Sequence, residues 1–196
     1  MLDRLKSLAA AGRPEKVVPR RRKAHAYLFQ DDGHTPNHPW FPFIVYRSPV
    51  KLSGASDPAA LFEALFAQNG WKPEWRDGIY DYNHFHTGVH EVLGIARGRA
   101  RVAFGGDKGR TIEVRAGDVV IHPAGVGHRR VSASRDFLAV GAYPEGGRYD
   151  EPQPFEVDHV KAVESIAKVK RPARDPVYGR EGPLVKLWRK ERANDR

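Results

Sequence analysis

The 196-residue chain contains no cysteine. Disulfides, thiolate metal sites, iron–sulfur clusters and cysteine nucleophiles are excluded with it. The absence of disulfides also fits a reducing cytoplasm. No run of about 18 apolar residues exists, so no transmembrane helix is expected. Residues 1–11 lack the apolar stretch of a secretory signal. Together these absences point to a cytoplasmic protein. Acidic residues are also in deficit, 24 against 33 Lys and Arg, for a formal charge of +9. The imbalance is local. Residues 1–23 hold eight basic side chains and two acidic ones, which is +6 and leaves +3 for everything else. A basic arm of this kind can bind nucleic acid or an anionic membrane. Here no aromatic side chains interleave with the charges as single-strand binders require. A solvated tail is therefore the preferred reading.

What is present is ordinary apolar content and a dense series of short strand patterns. Residues 1–12 carry Leu2, Leu5 and Leu8 at helical spacing, ended by Gly12 and Pro14. Residues 26–29 and 43–46 read as the first two strands. Asp57 or Ser56, followed by Pro58 at the first helical position, caps a helix whose Leu61, Phe62, Leu65 and Phe66 make one apolar face, and residues 69–70 stop it. Such a helix should lie on the outside of a sheet. Trp71 and Trp75 read as core or lid aromatics. Strands are then expected at residues 80–86, 89–97, 100–104, 111–115, 119–121, 128–132 and 136–143, separated by Gly-rich turns. Regularly spaced short strands of this kind indicate an all-β sandwich or jelly-roll barrel. The expected organisation is a basic arm over 1–23, a β-barrel over 24–145, and a C-terminal addition over 146–196. In that addition residues 158–169 form a helix, and Leu184, Leu187 and Trp188 dock a tail on the barrel or on a partner subunit.

Chemistry concentrates in residues 78–98 and 117–132. On a strand His84 and His86 project from the same face. Glu91 follows a Thr87-Gly88 break that returns the chain beside them. His128 follows a tight Pro123-x-Gly125 turn. On the next strand Glu91 shares parity with bulky Leu93 and Ile95, so it is favoured as an inward ligand over His90. That leaves His90 as a rival ligand or a residue that donates to a ligand and orients it. Tyr82 shares the parity of His84 and lines the expected pocket. Arg130 shares the parity of His128 and would hold a carboxylate or phosphate bidentately if it faces inward. Phe85, of opposite parity, should pack under the helix or in a dimer contact. His25, His34, His38, His122 and His159 read as ordinary surface or core histidines.

The spacing Gly78-x5-His84-x-His86-x4-Glu91-x6-Gly98, followed by Gly117-x5-Pro123-x-Gly125-x2-His128, resembles the paired motifs of the cupin superfamily. The first motif matches at every fixed position. The second departs at its end, where Ser132 replaces the usual asparagine. Within cupins, the stretches around residues 90–94, 123–128 and 140–144 are similar to the bacterial YjlB-like single-domain proteins. The resemblance implies a jelly-roll barrel, a homodimer, and His84, His86, Glu91 and His128 as ligands of a divalent metal. Three imidazoles and a carboxylate, with no thiolate, suit Fe, Mn, Ni, Co or Zn. An oxygenase or isomerase acting on a small polar molecule is then expected, with Glu91 doubling as proton shuttle. A small-molecule binding or sensing module without turnover is the alternative, and a nucleic-acid role through the arm is a distant third.

Overall fold

A computed structural model describes residues 16–189. The expected helix over 1–12 and the end of the tail lie outside the described residues. The chain folds as two antiparallel sheets with little helix. Strands β1 (Ala24–Tyr27), β2 (Phe43–Tyr46), β3 (Trp71–Asp77), β4 (Glu91–Arg97), β7 (Val119–His122) and β9 (Leu138–Pro144) form a six-stranded sheet in the order β1-β2-β7-β4-β9-β3. Strands β5 (Arg99–Phe104), β6 (Arg110–Arg115) and β8 (His128–Ala133) form a second sheet in the order β6-β5-β8. The strands do not close into a barrel. An isolated bridge between His84 and His128 ties the approach to β4 onto the edge of the small sheet.

Alternation along the strands sorts the core into two layers. Phe43, Val45, Leu93, Ile95, Val120 and Ala139 of the large sheet meet Ala100, Val102, Phe104 and Val114 of the small sheet. The opposite parity, including Ile44, Tyr46, Val92, Val119 and Ile121, faces helix α1 (Pro58–Gln68). This helix starts as the sequence predicts. The Asp57 carboxylate accepts from the amides of Ala59 and Ala60, and Pro58 occupies the first turn. Such a cap contributes about 1 kcal/mol. Phe62, Leu65 and Phe66 are buried against β3, β4 and β9. Gly94 makes the close approach possible, because a Cβ there would stand 2.3 Å from the Phe62 ring.

Three stretches differ from expectation. Residues 71–77, for which no strand is expected, form an edge strand, with Pro73 at a register shift, a position that tolerates proline. Residues 80–86 form no strand beyond the bridge at His84. The basic segment 16–23 is not a free tail. The Arg20 amide donates to Pro49 O, the Arg20 carbonyl accepts from the Tyr178 hydroxyl, and Gln68 donates to Val17 O.

The C-terminal segment wraps back over the large sheet. Helix α2 (His159–Ile166), capped by Asp158, packs Ala162 and Ile166 onto Phe85 and Ala124. Phe85 thus lies under a helix, although not under α1. Short helix α3 (Pro183–Leu187) buries Leu184 and delivers Trp188 onto Phe41 and His90. Buried Asp175 anchors this tail: it accepts from the Tyr46 hydroxyl at 2.5 Å and from the amides of Val177, Tyr178 and Leu184.

Candidate metal centre

The ladder between β4 and β7 sets Glu91 opposite His122. On the other side of β4, Val92 pairs with Ala142, so Glu91 falls beside Tyr143. Three adjacent strands therefore place His122, Glu91 and Tyr143 in a row between the sheets. His84 and His128 reach the same place through mutual backbone hydrogen bonds of 3.3 and 2.9 Å. The turn after Pro123 aims His128 inward, and His86 follows two residues beyond the bridge.

Backbone carbonyls orient three of the four imidazoles. Nδ1 of His84 faces Tyr82 O at 3.3 Å, Nδ1 of His128 faces Val126 O at 3.2 Å, and Nδ1 of His86 is bonded to Asp150 O. Asp150 is itself held by the Thr87 amide at 2.7 Å and by the Thr87 hydroxyl. A carbonyl partner puts the proton on Nδ1 and leaves Nε2 a bare lone pair, the form that ligates metals. One nitrogen from each of His84, His86 and His128 lies within 4.8 Å of the others, and all three residues are buried.

Glu91 Oε2 sits among three imidazole nitrogens: His86 Nε2 at 3.2 Å, His122 Nδ1 at 3.3 Å and His128 Nε2 at 3.4 Å. These are longer than ordinary charge-assisted hydrogen bonds of about 2.7–2.9 Å. A carboxylate oxygen and a bare imidazole nitrogen repel at this range unless a cation lies between them. Burial works against a charged Glu91, yet its interaction with His86 and the hydrogen bond from His122 hold its carboxyl well below the usual range. Burial pulls His86 down, and Glu91 more than offsets it, so the ring titrates above its ordinary value. Burial and His128 depress His84 to about 3; burial and His122 depress His128 to about 4. The site is thus built for a localised positive charge beside Glu91, supplied by a proton on His86 or by a metal ion.

Glu91 Oε1 is held separately. It accepts from the Tyr143 hydroxyl at 2.9 Å, and that hydroxyl accepts from Trp75 Nε1 at 2.9 Å. Burial and the Glu91 charge push the Tyr143 pKa far up, so it remains a donor. His122 was expected to be an ordinary histidine and is instead part of the centre. Glu91, His122 and His128 form a second close donor group. Nδ1 of His122 faces Glu91, while its buried Nε2 has no hydrogen-bond partner and its ring lies against Phe43 and Phe104. The proton therefore belongs on Nδ1, where it is donated to Glu91. The available signal was parity: His122 follows Val120 on the face turned to the second sheet.

Comparison with known proteins places the chain. YjlB of Bacillus subtilis, an uncharacterised protein, is 40% identical over 167 residues, covering 85% of this chain and 98% of that one. The chain belongs to the YjlB family. No protein-family model matches it. Among solved structures, a mutant of Bacillus subtilis oxalate decarboxylase is 19% identical over 57% of this chain and only 22% of its own, with a TM-score of 0.32. RmlC from Streptococcus suis, in complex with dTDP-D-xylose, is 12% identical over 65% of this chain and 71% of its own, at 0.36. Overlaps this low say nothing about chemistry.

The remaining predicted residues of this YjlB-family chain lie outside the cluster. His90 touches none of the four predicted ligands. It projects to the opposite face of the large sheet, as its parity requires, where Nδ1 accepts from the Ala124 amide at 2.9 Å and Nε2 donates to Lys170 O at 3.2 Å. It therefore braces the turn that delivers His128. Tyr82 is exposed and stacks on Tyr80 at 4.8 Å, and Tyr80 rather than Tyr82 lines the cavity over the cluster. The parity argument fails there because residues 80–83 are not a strand. Arg130 keeps the parity of His128, but its guanidinium turns to Asp81 at 3.8 Å and does not line that cavity. His38, expected at the surface, is buried and stacked on Phe41 at 4.1 Å.

Proposed function

We propose that this chain is a divalent-metal cupin whose ion is held by His84, His86, Glu91 and His128, within a jelly-roll arrangement of the two sheets. The observation that carries the reading is the tautomer pattern. Backbone carbonyls put the ring proton on Nδ1 of His84, His86 and His128, and the Nε2 lone pairs of His86 and His128 then face Glu91 Oε2 at 3.2 and 3.4 Å with no proton between them. The donor chemistry fits: neutral imidazoles and one carboxylate, with no thiolate among them, suit Fe, Mn, Ni, Co or Zn. A bound ion of this type supplies Lewis acidity toward an oxygen of a ligand.

The protein side chains would do the rest. His122 and Tyr143 donate to opposite oxygens of Glu91 and hold its orientation. Glu91 is the one carboxylate of the cluster, so proton movement at a bound ligand falls to it. A cavity of about 240 Å³ opens onto His84, His86, Glu91 and His128, which supports catalysis or binding on a small molecule. Elemental analysis of natively purified protein should find about one transition-metal ion per chain, and His84→Ala should lose most of it. Equal metal in the two proteins, or none in the wild type, would remove the reading. Oxygen uptake by the Fe(II)-loaded protein across a panel of small ligands separates an oxygenase from an isomerase or a sensor.

A further inference from the structure

The cavity above the cluster has a composition that selects among ligands. Its walls are aromatic and apolar: Trp75, Ile79, Tyr80, Leu93, Tyr143 and Tyr149. Tyr80 stands beside His84 at 5.2 Å, and Tyr149 beside His86 at 5.3 Å. These two tyrosines are 48% and 52% exposed, and Tyr80 also stacks on Tyr82. Aromatic faces of this kind attract other rings and cations. The charged side chains lining the cavity, apart from Glu91, are Asp77 and Glu151. Among the described residues no Lys or Arg lines it. Arg130, the nearest expectation of a basic group, is turned to Asp81. Outside residues 1–23 the chain carries 25 basic and 22 acidic side chains, so the absence of Lys and Arg from the cavity is a local feature of its lining.

Size narrows the class further. A cavity of about 240 Å³ is below the usual 300–1,000 Å³ of drug-sized pockets and above the roughly 150 Å³ that holds benzene. It accommodates one substituted ring. We infer that the site takes a small, uncharged or cationic aromatic molecule, and discriminates against anionic ligands. This rests on the metal reading above: a ligand oxygen would bind the ion, the ring would meet the aromatic wall, and any positive group would meet Asp77 and Glu151.

The test uses the full chain loaded with Zn(II), which is redox-inactive and leaves diphenols intact. Dissociation constants are measured by calorimetry near neutral pH for catechol, dopamine, 3,4-dihydroxybenzoate and cis-1,2-cyclohexanediol, with zinc content determined on the same samples. Dopamine should bind at least about tenfold more tightly than 3,4-dihydroxybenzoate, and catechol at least about tenfold more tightly than cyclohexanediol. The double variant Asp77→Asn/Glu151→Gln should shrink the first ratio below about threefold while leaving zinc content unchanged. On zinc-replete protein, carboxylate binding equal to or tighter than dopamine, or cyclohexanediol equal to catechol, overturns the ligand class and leaves the metal reading intact. A wild-type chain that takes up no zinc overturns both, because the oxygens then have nothing to bind.

Discussion

Replacing Trp188 with alanine tests how the C-terminal tail supports the centre. The indole is 1% exposed, lies parallel to Phe41 at 5.2 Å, and rests on His90 at 4.6 Å. Its Nε1 donates to Pro42 O at 2.8 Å. Removing a fully buried Trp side chain costs about 3–5 kcal/mol through lost transfer energy and the cavity left behind. Domains of this kind have about 5–15 kcal/mol in total, so the variant should still fold, with a thin margin. Urea unfolding followed by circular dichroism reads the loss without relying on the deleted fluorophore. Trp188→Phe keeps a ring against Phe41 and strips the hydrogen bond, so its loss should be smaller, about 1–3 kcal/mol. The consequence reaches the centre through His90, whose Nδ1 holds the Ala124 amide in the turn preceding His128. Trp188→Ala should therefore also weaken metal uptake, while Trp188→Phe changes it less. A loss below about 1 kcal/mol in Trp188→Ala would refute the docked tail, and with it the account of how His90 is held in place.

Two further outcomes follow from the hydrogen-bond geometry. Tyr143→Phe removes the donor to Glu91 Oε1 and the acceptor of Trp75 Nε1 together, so unfolding experiments should show a loss of about 2–4 kcal/mol; a loss under about 0.5 kcal/mol would contradict that pairing. Burial depresses His38 to about 3, so between about pH 6.5 and 3 the unfolded chain takes up a proton that the folded chain does not. Stability is therefore full above about pH 6.5 and falls with acidification, by about 2 kcal/mol from this group at pH 5. His38→Asn keeps an acceptor for the amides of Trp40 and Phe41 but does not titrate, so its stability should fall less steeply over that range; an unchanged slope would show that His38 is not buried neutral.

The residues of the centre were mostly legible because their spacing is local information. His84, His86, Glu91 and His128 were singled out by position, and they stand together. Their parity was a less reliable guide. It put Glu91 between the sheets and His90 on the far face, because residues 91–97 are a real strand. It failed for Tyr82, because residues 80–83 carry no ladder and alternation has no meaning without one. Arg130 shows a second failure: shared parity fixes where a long side chain starts, and Asp81 decides where its guanidinium ends.

The sequence by itself determined the exclusion of thiolate chemistry, the strand-rich class, the helix that starts at Pro58, and the clustering of four metal-type side chains. Each depends on residue type or on neighbours a few positions apart. Only the tertiary structure decided that His122 joins Glu91, because a ladder register between β4 and β7 links residues 31 positions apart. It also decided that Tyr143 and Trp75 hold the other oxygen of Glu91, that the tail closes over His90, and that the cavity is acid-rimmed rather than basic. These depend on which distant strands become neighbours, and pairing between distant strands leaves no periodic trace in either of them.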